Sequence, residues 1–272
     1  MILRGMIGRS RVLVLVAALC SVVAAQTSAG TRSPGDVLAT ATMKTSRAKS
    51  SEVALDGRVT VNGQSAWLHG SGVLAGRSAH MTVEMRGVGP TLKLEMIMVA
   101  ERGTPVMYMA SDLFAAQLPA GKRWIRIDLE REGKALGLDV DSLFGASTSN
   151  QSAVFRHASV TTRVGTESVM GGTMTRYHSV VDFDSAAAAN PRLADTIERL
   201  RDLSGMDRAT TESWVDAGGF LRRTRTAYDV RDGSGALRHT TTTVSYLSFG
   251  GAVRISAPLR GEVVEAASLP GW

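Results

Sequence analysis

The chain has 272 residues, 44% of them hydrophobic, with 31 Lys and Arg against 25 Asp and Glu and a formal net charge of +6. That length is enough for one sizeable core, and the apolar content excludes an intrinsically disordered chain. Three of the basic residues and none of the acids fall before residue 26, leaving a net of only +3 on the remainder; without a pattern of stacking aromatics, this argues against nucleic acid as a partner.

The first eleven residues carry Arg4, Arg9 and Arg11. An apolar run then extends from Val12 to Ala25, closing on small residues at Val23-Ala24-Ala25. This is the layout of a secretory signal over residues 1–25, and the run falls short of the ~20 residues that a spanning helix needs. Cys20 has two readings. It is either part of a removed apolar run or a site of lipid attachment, although Leu19 and Ala17 make a poor lipoprotein signal around it. With Cys20 the single cysteine, the exported part has no disulfide framework and no thiol nucleophile. Residues 26–35 are small, polar and Gly/Pro-bearing and read as a flexible tether.

A helix is predicted over Asp36–Lys49, with Leu38, Ala41 and Ala48 on one face. From there the chain alternates like strands. Glu52–Val61 and Ser65–Leu74 flank Asn62-Gly63, a strong hairpin signal. Arg77–Arg86, Thr91–Val99, Pro105–Met109 and Lys122–Leu129 follow, then Val160–Glu167 and Thr173–Asp182. Thr211–Asp216, Phe220–Asp229, Leu237–Phe249 and a short Ala252–Ser256 complete the strands. The short links imply antiparallel pairing. Short helices are placed at Asp139–Phe144 and Gln151–His157. A better one runs over Asn190–Leu203, with Asn190 as N-cap, Pro191 at the first helical position and an Asp195–Arg199 pair.

Six methionines lie between Met81 and Met109. Met81, Val83 and Met85 alternate with polar residues, as do Leu92, Leu94, Met96 and Met98 in the next strand. Met107 and Met109 continue the pattern, and Ile125 and Ile127 extend it. Period-2 alternation places each set on one face of a sheet. Such a face is either ordinary core or the wall of an apolar cavity, for which the adaptable Met side chain is suited. Catalytic patterns are missing. The five histidines are scattered, there is no phosphate loop or nucleophile elbow, and Asp229–Gly233 lacks the ligands of a calcium loop. Trp124 and Trp214 are expected to pack beneath helices, with a second reading as contacts at the cavity rim, and Arg222, Arg223 and Arg225 to form a solvated basic strand with a second reading as headgroup contacts.

A long antiparallel sheet with few amphipathic helices is expected to curl, because sheets beyond ~10 strands rarely stay flat. The expected fold is therefore α+β: a curved antiparallel half-barrel of about 11 strands with helices covering the concave face, forming one domain over residues 36–265, with 266–272 as a tail. Its apolar mouth would be a ligand site.

Several segments resemble a known family. Gly121-Lys122-Arg123-Trp124-Ile125-Arg126-Ile127-Asp128 is similar to a "G-K-x-W-x-x-(I/V)-D" strand, and Gly165–Gly171 with Thr175-Arg176-Tyr177 to "G-x-E-x-V-x-G…T-x-x-Y". Trp214–Arg223 resembles "W-V-D-x-x-G-x-(L/P)-x-(R/K)", and Val244–Phe249 with Ala257-Pro258 the closing strand and its exit. These are motifs of the actinobacterial LppX/LprA/LprF/LprG lipoproteins, within the LolA-like envelope carriers. The resemblance implies a lipid or glycolipid ligand held by its acyl chains for transfer through the envelope, with neither cofactor nor catalysis. The lipid-binding wall would be the eleven Met, Leu, Val and Ile residues named above. Export places the protein in the cell envelope, the periplasmic space or the medium, with a membrane surface as a further partner. The alternative from another class is an envelope interaction or sensor module of the same fold that binds a protein or lipidated peptide.

Overall fold

The computed structural model describes residues 33–87, 89–115, 117–140, 159–189, 191, 194–231 and 236–269. The leader with Cys20, the Gln151–His157 helix and most of the Asp139–Phe144 helix lie outside the described residues.

Helix α1 spans Pro34–Ser46. Ser33 caps it: its hydroxyl accepts from the Asp36 amide while the Asp36 carboxylate accepts from the Ser33 amide, and Pro34 follows at the first position. Ala39, Ala41, Thr42 and Thr45 form its buried face, and Ala48 falls beyond its end.

Twelve strands make one sheet. In chain order they are β1 (Ser51–Val61), β2 (Gln64–Ala75), β3 (Ser78–Arg86), β4 (Leu92–Glu101), β5 (Thr104–Ser111) and β6 (Trp124–Asp128). Then come β7 (Ser159–Val169), β8 (Gly172–Asp182), β9 (Arg208–Val215), β10 (Leu221–Arg231), β11 (Leu237–Phe249) and β12 (Val263–Glu265). The spatial order is β12-β6-β5-β4-β3-β2-β1-β11-β10-β9-β8-β7. Asn62 and Gly63, at φ 48° and 80°, turn β1 into β2 as the sequence predicts.

Two expectations fail at the C-terminal end. Ala252–Ser256 forms no strand, and β12 pairs parallel with β6, so the sheet is mixed. The cause is local. Arg123 donates its amide to the Glu262 carbonyl and Lys122 its ammonium to that of Gly261, drawing residues 261–265 along the free edge of β6. Beyond β12, Ala266 is fully buried and Leu269 packs nearby.

Among the described residues four further α-helices are short: α2 (Asp112–Ala115), α3 (Leu129–Ala135), α4 (Phe183–Ala189) and α5 (Ala194–Ser204). Asp128 caps α3 by accepting from the Arg131 amide, which ends β6 one residue before the sequence suggests. The helix expected over Asn190–Leu203 is found as α5 from Ala194 to Ser204, and α4 precedes it where the sequence predicts none. In α5, Ile197 is buried, Gly205 closes the helix at φ 66°, and Arg199 donates to the Leu136 carbonyl rather than pairing with Asp195.

The curl of the sheet can be read from one side chain. Leu200 packs against a cluster built on β5 and β6 (Met109, Ile125, Ile127) and against another on β9 and β10 (Ala209, Tyr228). In a flat sheet those strand pairs would stand ~30 Å apart. One leucine serves both because the two wings face each other across α5. α1 lies on the same concave side, over Val53, Val215, Val244 and Tyr246.

The convex face has its own core. Ile97, Val99, Val106, Tyr108, Ala110 and Trp124 are 0–8% exposed there, beneath Ile255 and Val263. Trp124 is thus buried under the C-terminal segment and not under a helix. Trp214 is also convex, against Val169 and Met174, with its indole N–H on Glu167.

Candidate functional site

Cross-strand register decides where the eleven predicted wall residues point. Met81 pairs with Met96, Met96 with Met109, and Met109 with Ile125. One rung along, Val83 faces Leu94; one further, Met85 faces Leu92; and on the other side Met98, Met107 and Ile127 align. Directly opposed residues share a face, so all eleven lie on the concave side of β3–β6.

They differ in cover. Val83, Met109, Ile125 and Ile127 are buried, the last three against Leu129, Leu138, Val140 and Ala266. Met81, Leu92, Leu94, Met96, Met98 and Met107 are half-buried, and Met85 is 37% exposed. The coverage on these strands is therefore inverted relative to a simple half-barrel: the convex side is the drier one over β4–β6, while the concave Met/Leu side stays partly open.

Other residues belong to this surface that the alternation signal missed. Leu68 of β2 pairs with Met85 and extends the wall. Gly70 and Gly72, opposite Val83 and Met81, leave the face of β2 bare. A methyl group on Gly72 would collide with the His80 carbonyl oxygen and come within 2.7 Å of Met81 Cγ, so Met81 lies across β2 and reaches the α1 cluster. Two glycines spaced by one residue in an otherwise regular strand are the sequence signal for this close approach.

The opposite wing is chemically different. Thr161, Ser179, Thr211, Thr226 and Thr242 stand opposite one another on β7, β8, β9, β10 and β11. This row continues through Gly57 into Leu68, Met85 and Leu92. One rung of the sheet thus runs from hydroxyls to apolar side chains.

The ion pairs of β4, β6 and β12 lie on the convex face. Arg126 donates to Glu101 (2.8 Å) and to Glu265 (3.1 Å), and the Tyr108 hydroxyl also donates to Glu101. Burial pushes the Glu101 carboxyl up, but the Tyr108 and Arg126 hydrogen bonds outweigh it and hold it below its usual value. Burial and the same carboxylate push the Tyr108 phenol up to about 12. The basic strand is engaged rather than bare: Arg222 stacks on Phe249, Arg223 on Trp214, and Arg225 lies 3.9 Å from Glu212. Among the described residues no group of three His, Cys, Asp or Glu is placed to hold a metal ion, and no helix is long and apolar enough to cross a membrane.

No family model and no curated protein matches the chain. Solved structures do. LprF from Mycobacterium bovis aligns over 83% of this chain and 96% of its own, at 14% identity and a TM-score of 0.43. The lipoprotein LppX from Mycobacterium tuberculosis aligns over 79% and 94%, at 12% identity and 0.39. The chain is similar in fold to these lipoproteins, two of those whose motifs its sequence resembles. MucB from Pseudomonas aeruginosa, in its complex with MucA, aligns over 80–81% of this chain and 54–58% of that one, at 11–12% identity and TM-scores of 0.30–0.32.

Proposed function

We propose that this protein is an exported carrier that holds the acyl chains of a lipid or glycolipid against the concave wing of β3–β6, for transfer through the cell envelope. The observation that carries the reading is the inverted coverage of β4 and β5. Their convex apolar residues Ile97, Val99, Val106, Tyr108 and Ala110 are sealed at 0–8% exposure, whereas Leu92, Leu94, Met96, Met98 and Met107 on the concave side are only half covered. Met81 and Met85 extend this open wall across β3; Val83, Met109, Ile125 and Ile127 form its buried base.

The energetics suit reversible loading. Each acyl methylene moved from water onto such a wall gains ~0.8 kcal/mol. A chain leaving a bilayer gives up a similar amount, so extraction and release run near balance, and methionines can re-pack around chains of different length.

Native mass spectrometry of residues 26–272, produced in the original or a related host, tests the reading, with denaturing extraction to identify any adduct. An adduct that resolves into an acylated lipid is the expected result, and Met96→Trp or Met98→Trp, which fill the wall, should reduce its occupancy. A clean mass that persists after incubation with envelope lipids would overturn the carrier and leave the protein-binding module.

A further inference from the structure

We propose that one end of the sheet is a docking rim for an anionic lipid bilayer, built from the exposed cations Arg47, Lys49, Arg77, Arg102 and Arg254. The rim stands apart from the carrier reading; only the use of docking for lipid loading rests on it.

Register gathers these residues. Ser51 is opposite both Phe249 and Leu74, Ala75 faces Ser78 across the β2–β3 turn, Ala79 faces Met98, and Glu101 faces Thr104 across the β4–β5 turn. Arg77 and Arg102 therefore sit on two turns of the same end, joined by Arg47 and Lys49 just ahead of β1. Arg254 lies on the segment that leaves β11 at this end, beside Ile255, which packs on the convex cluster of Ile97 and Val99. Turns two strands apart are separated by ~10 Å, about one Debye length in 0.1 M salt, so their fields merge.

The charge of these five is unspent. All are exposed, and among the described residues none of their side chains makes an ion pair or a hydrogen bond. Arg222, Arg223 and Arg225, by contrast, are held by Phe249, Trp214 and Glu212. Nor do acids at this end neutralise the rim. Glu101 is taken by Arg126, Asp216 lies 4.0 Å from Arg222, and Glu130 and Glu132 of α3 pair with Lys134 and Arg131. Glu52 remains, exposed and without a partner.

The opposite end has the reverse character. There Arg86 and Arg208 are paired with Glu84 and Asp182. The connection from β8 to β9 carries Asp184, Asp195, Glu198, Asp202 and Asp207 against Arg199 and Arg201 among its described residues. A negative surface attracts one end and repels the other, which fixes the docked orientation. The free cations stand on separate turns and not around a recess, as a fluid charged plane requires. Docking brings Met98 and Met107, opposite each other just short of the Arg102 turn, to the bilayer, so the half-covered wall is entered from that side.

The test is cosedimentation of the exported chain, residues 26–272, with phosphatidylcholine vesicles, pure or containing one-third phosphatidylglycerol. Binding to the anionic vesicles alone is expected, and it should be lost as salt rises from ~0.05 M to ~0.5 M. Each Lys or Arg near such a surface adds about fivefold in affinity, so Arg77→Gln with Arg102→Gln should bind about 25-fold more weakly. Arg86→Gln with Arg208→Gln removes the same net charge at the other end and should weaken binding by less than about threefold. Failure to bind the anionic vesicles, equal binding to both vesicle types, or an equal loss in the two double variants would overturn the rim. None of these touches the carrier reading, which is read from the native mass of a bound lipid. A clean native mass with docking intact would overturn the carrier and leave the rim.

Discussion

Met96 and Ile97 are neighbours on β4 that point to opposite sides of the sheet, and the two should respond very differently to truncation. Ile97 is 7% exposed in the convex cluster with Val106, Tyr108 and Trp124. Cutting it to Ala removes packed methyl groups from a site with little room to collapse, and such changes cost ~2–5 kcal/mol. Met96 is half-buried on the concave wall. It is flexible and already partly in water, so Met96→Ala should cost roughly half as much, ~1–2 kcal/mol. With a urea m-value of ~3 kcal/mol/M for a domain of this size, Ile97→Ala lowers the unfolding midpoint by about 1 M and Met96→Ala by about 0.5 M. Both are measured on lipid-free protein. Saturating amphiphile at about 100 times its Kd should then add ~2.7 kcal/mol to the wild type and to Ile97→Ala, and less to Met96→Ala, which has lost part of the wall. If Met96→Ala costs as much as Ile97→Ala in the empty protein, the concave face is ordinary core and the proposed lipid wall is wrong.

Three further outcomes are expected. Gly72→Val should destabilise by at least ~1–3 kcal/mol, because its side chain meets the His80 carbonyl and Met81, and thermal unfolding will register it. Gly76→Val, in open space, serves as a control for the loop rather than the wall, although its φ of 59° adds a backbone cost of ~1–2 kcal/mol of its own. Glu101→Gln should cost about 1–2 kcal/mol at pH 7, a range kept low because the carboxylate is one-third exposed. Since the folded Glu101 pKa lies below the unfolded one, that contribution is present above pH ~4.3 and lost as pH falls through the folded value. Denaturation curves of variant and wild type should therefore converge in acid, and a gap that persists there would refute the assignment. Leu200→Ala should cost ~2–4 kcal/mol, since the side chain contacts both wings, and should speed hydrogen exchange in β5 and in β9 together. Protection lost in one wing alone would mean that Leu200 does not couple them.

Strands were legible in the sequence wherever one face differs from the other. The alternation of Met and Leu with Lys93, Glu95 and Thr82 placed β3 and β4 within a residue or two, and the Asn62-Gly63 turn fixed the register of β1 with β2. Register then carried all eleven wall residues to one face, because antiparallel pairing with short turns leaves little freedom. The failures have a common cause. The pairing of β12 with β6 and the burial of Trp124 beneath Ile255 both depend on contacts distant in sequence. Helix α4 is an alanine run, Ala186–Ala189, with no polar face to set a period, so periodicity could not find it. The hydroxyl wing was hidden for another reason. Its threonines and serines sit one per strand on five strands, and only the register shows them as a row.

The choice of side chains separates a sealed core from an adaptable wall more sharply than burial alone does. On β4 and β5 the buried convex residues include Ile97, Val99, Val106 and Tyr108, and the concave apolar ones include Leu94, Met96, Met98, Met107 and Met109. These alternate along the same two strands, so strand propensity and local backbone are shared. Propensity would favour β-branched residues on both sides. Instead the β-branched ones, stiff at χ1, occupy the face whose packing partners are set by the fold. The unbranched methionines, which pay more side-chain entropy when held in one rotamer, lie on the face that remains half open. A core that is packed once gains nothing from that flexibility. A wall that must accept chains of varying length and position does, and the segregation of stiff from flexible side chains across a single sheet is what such a use requires.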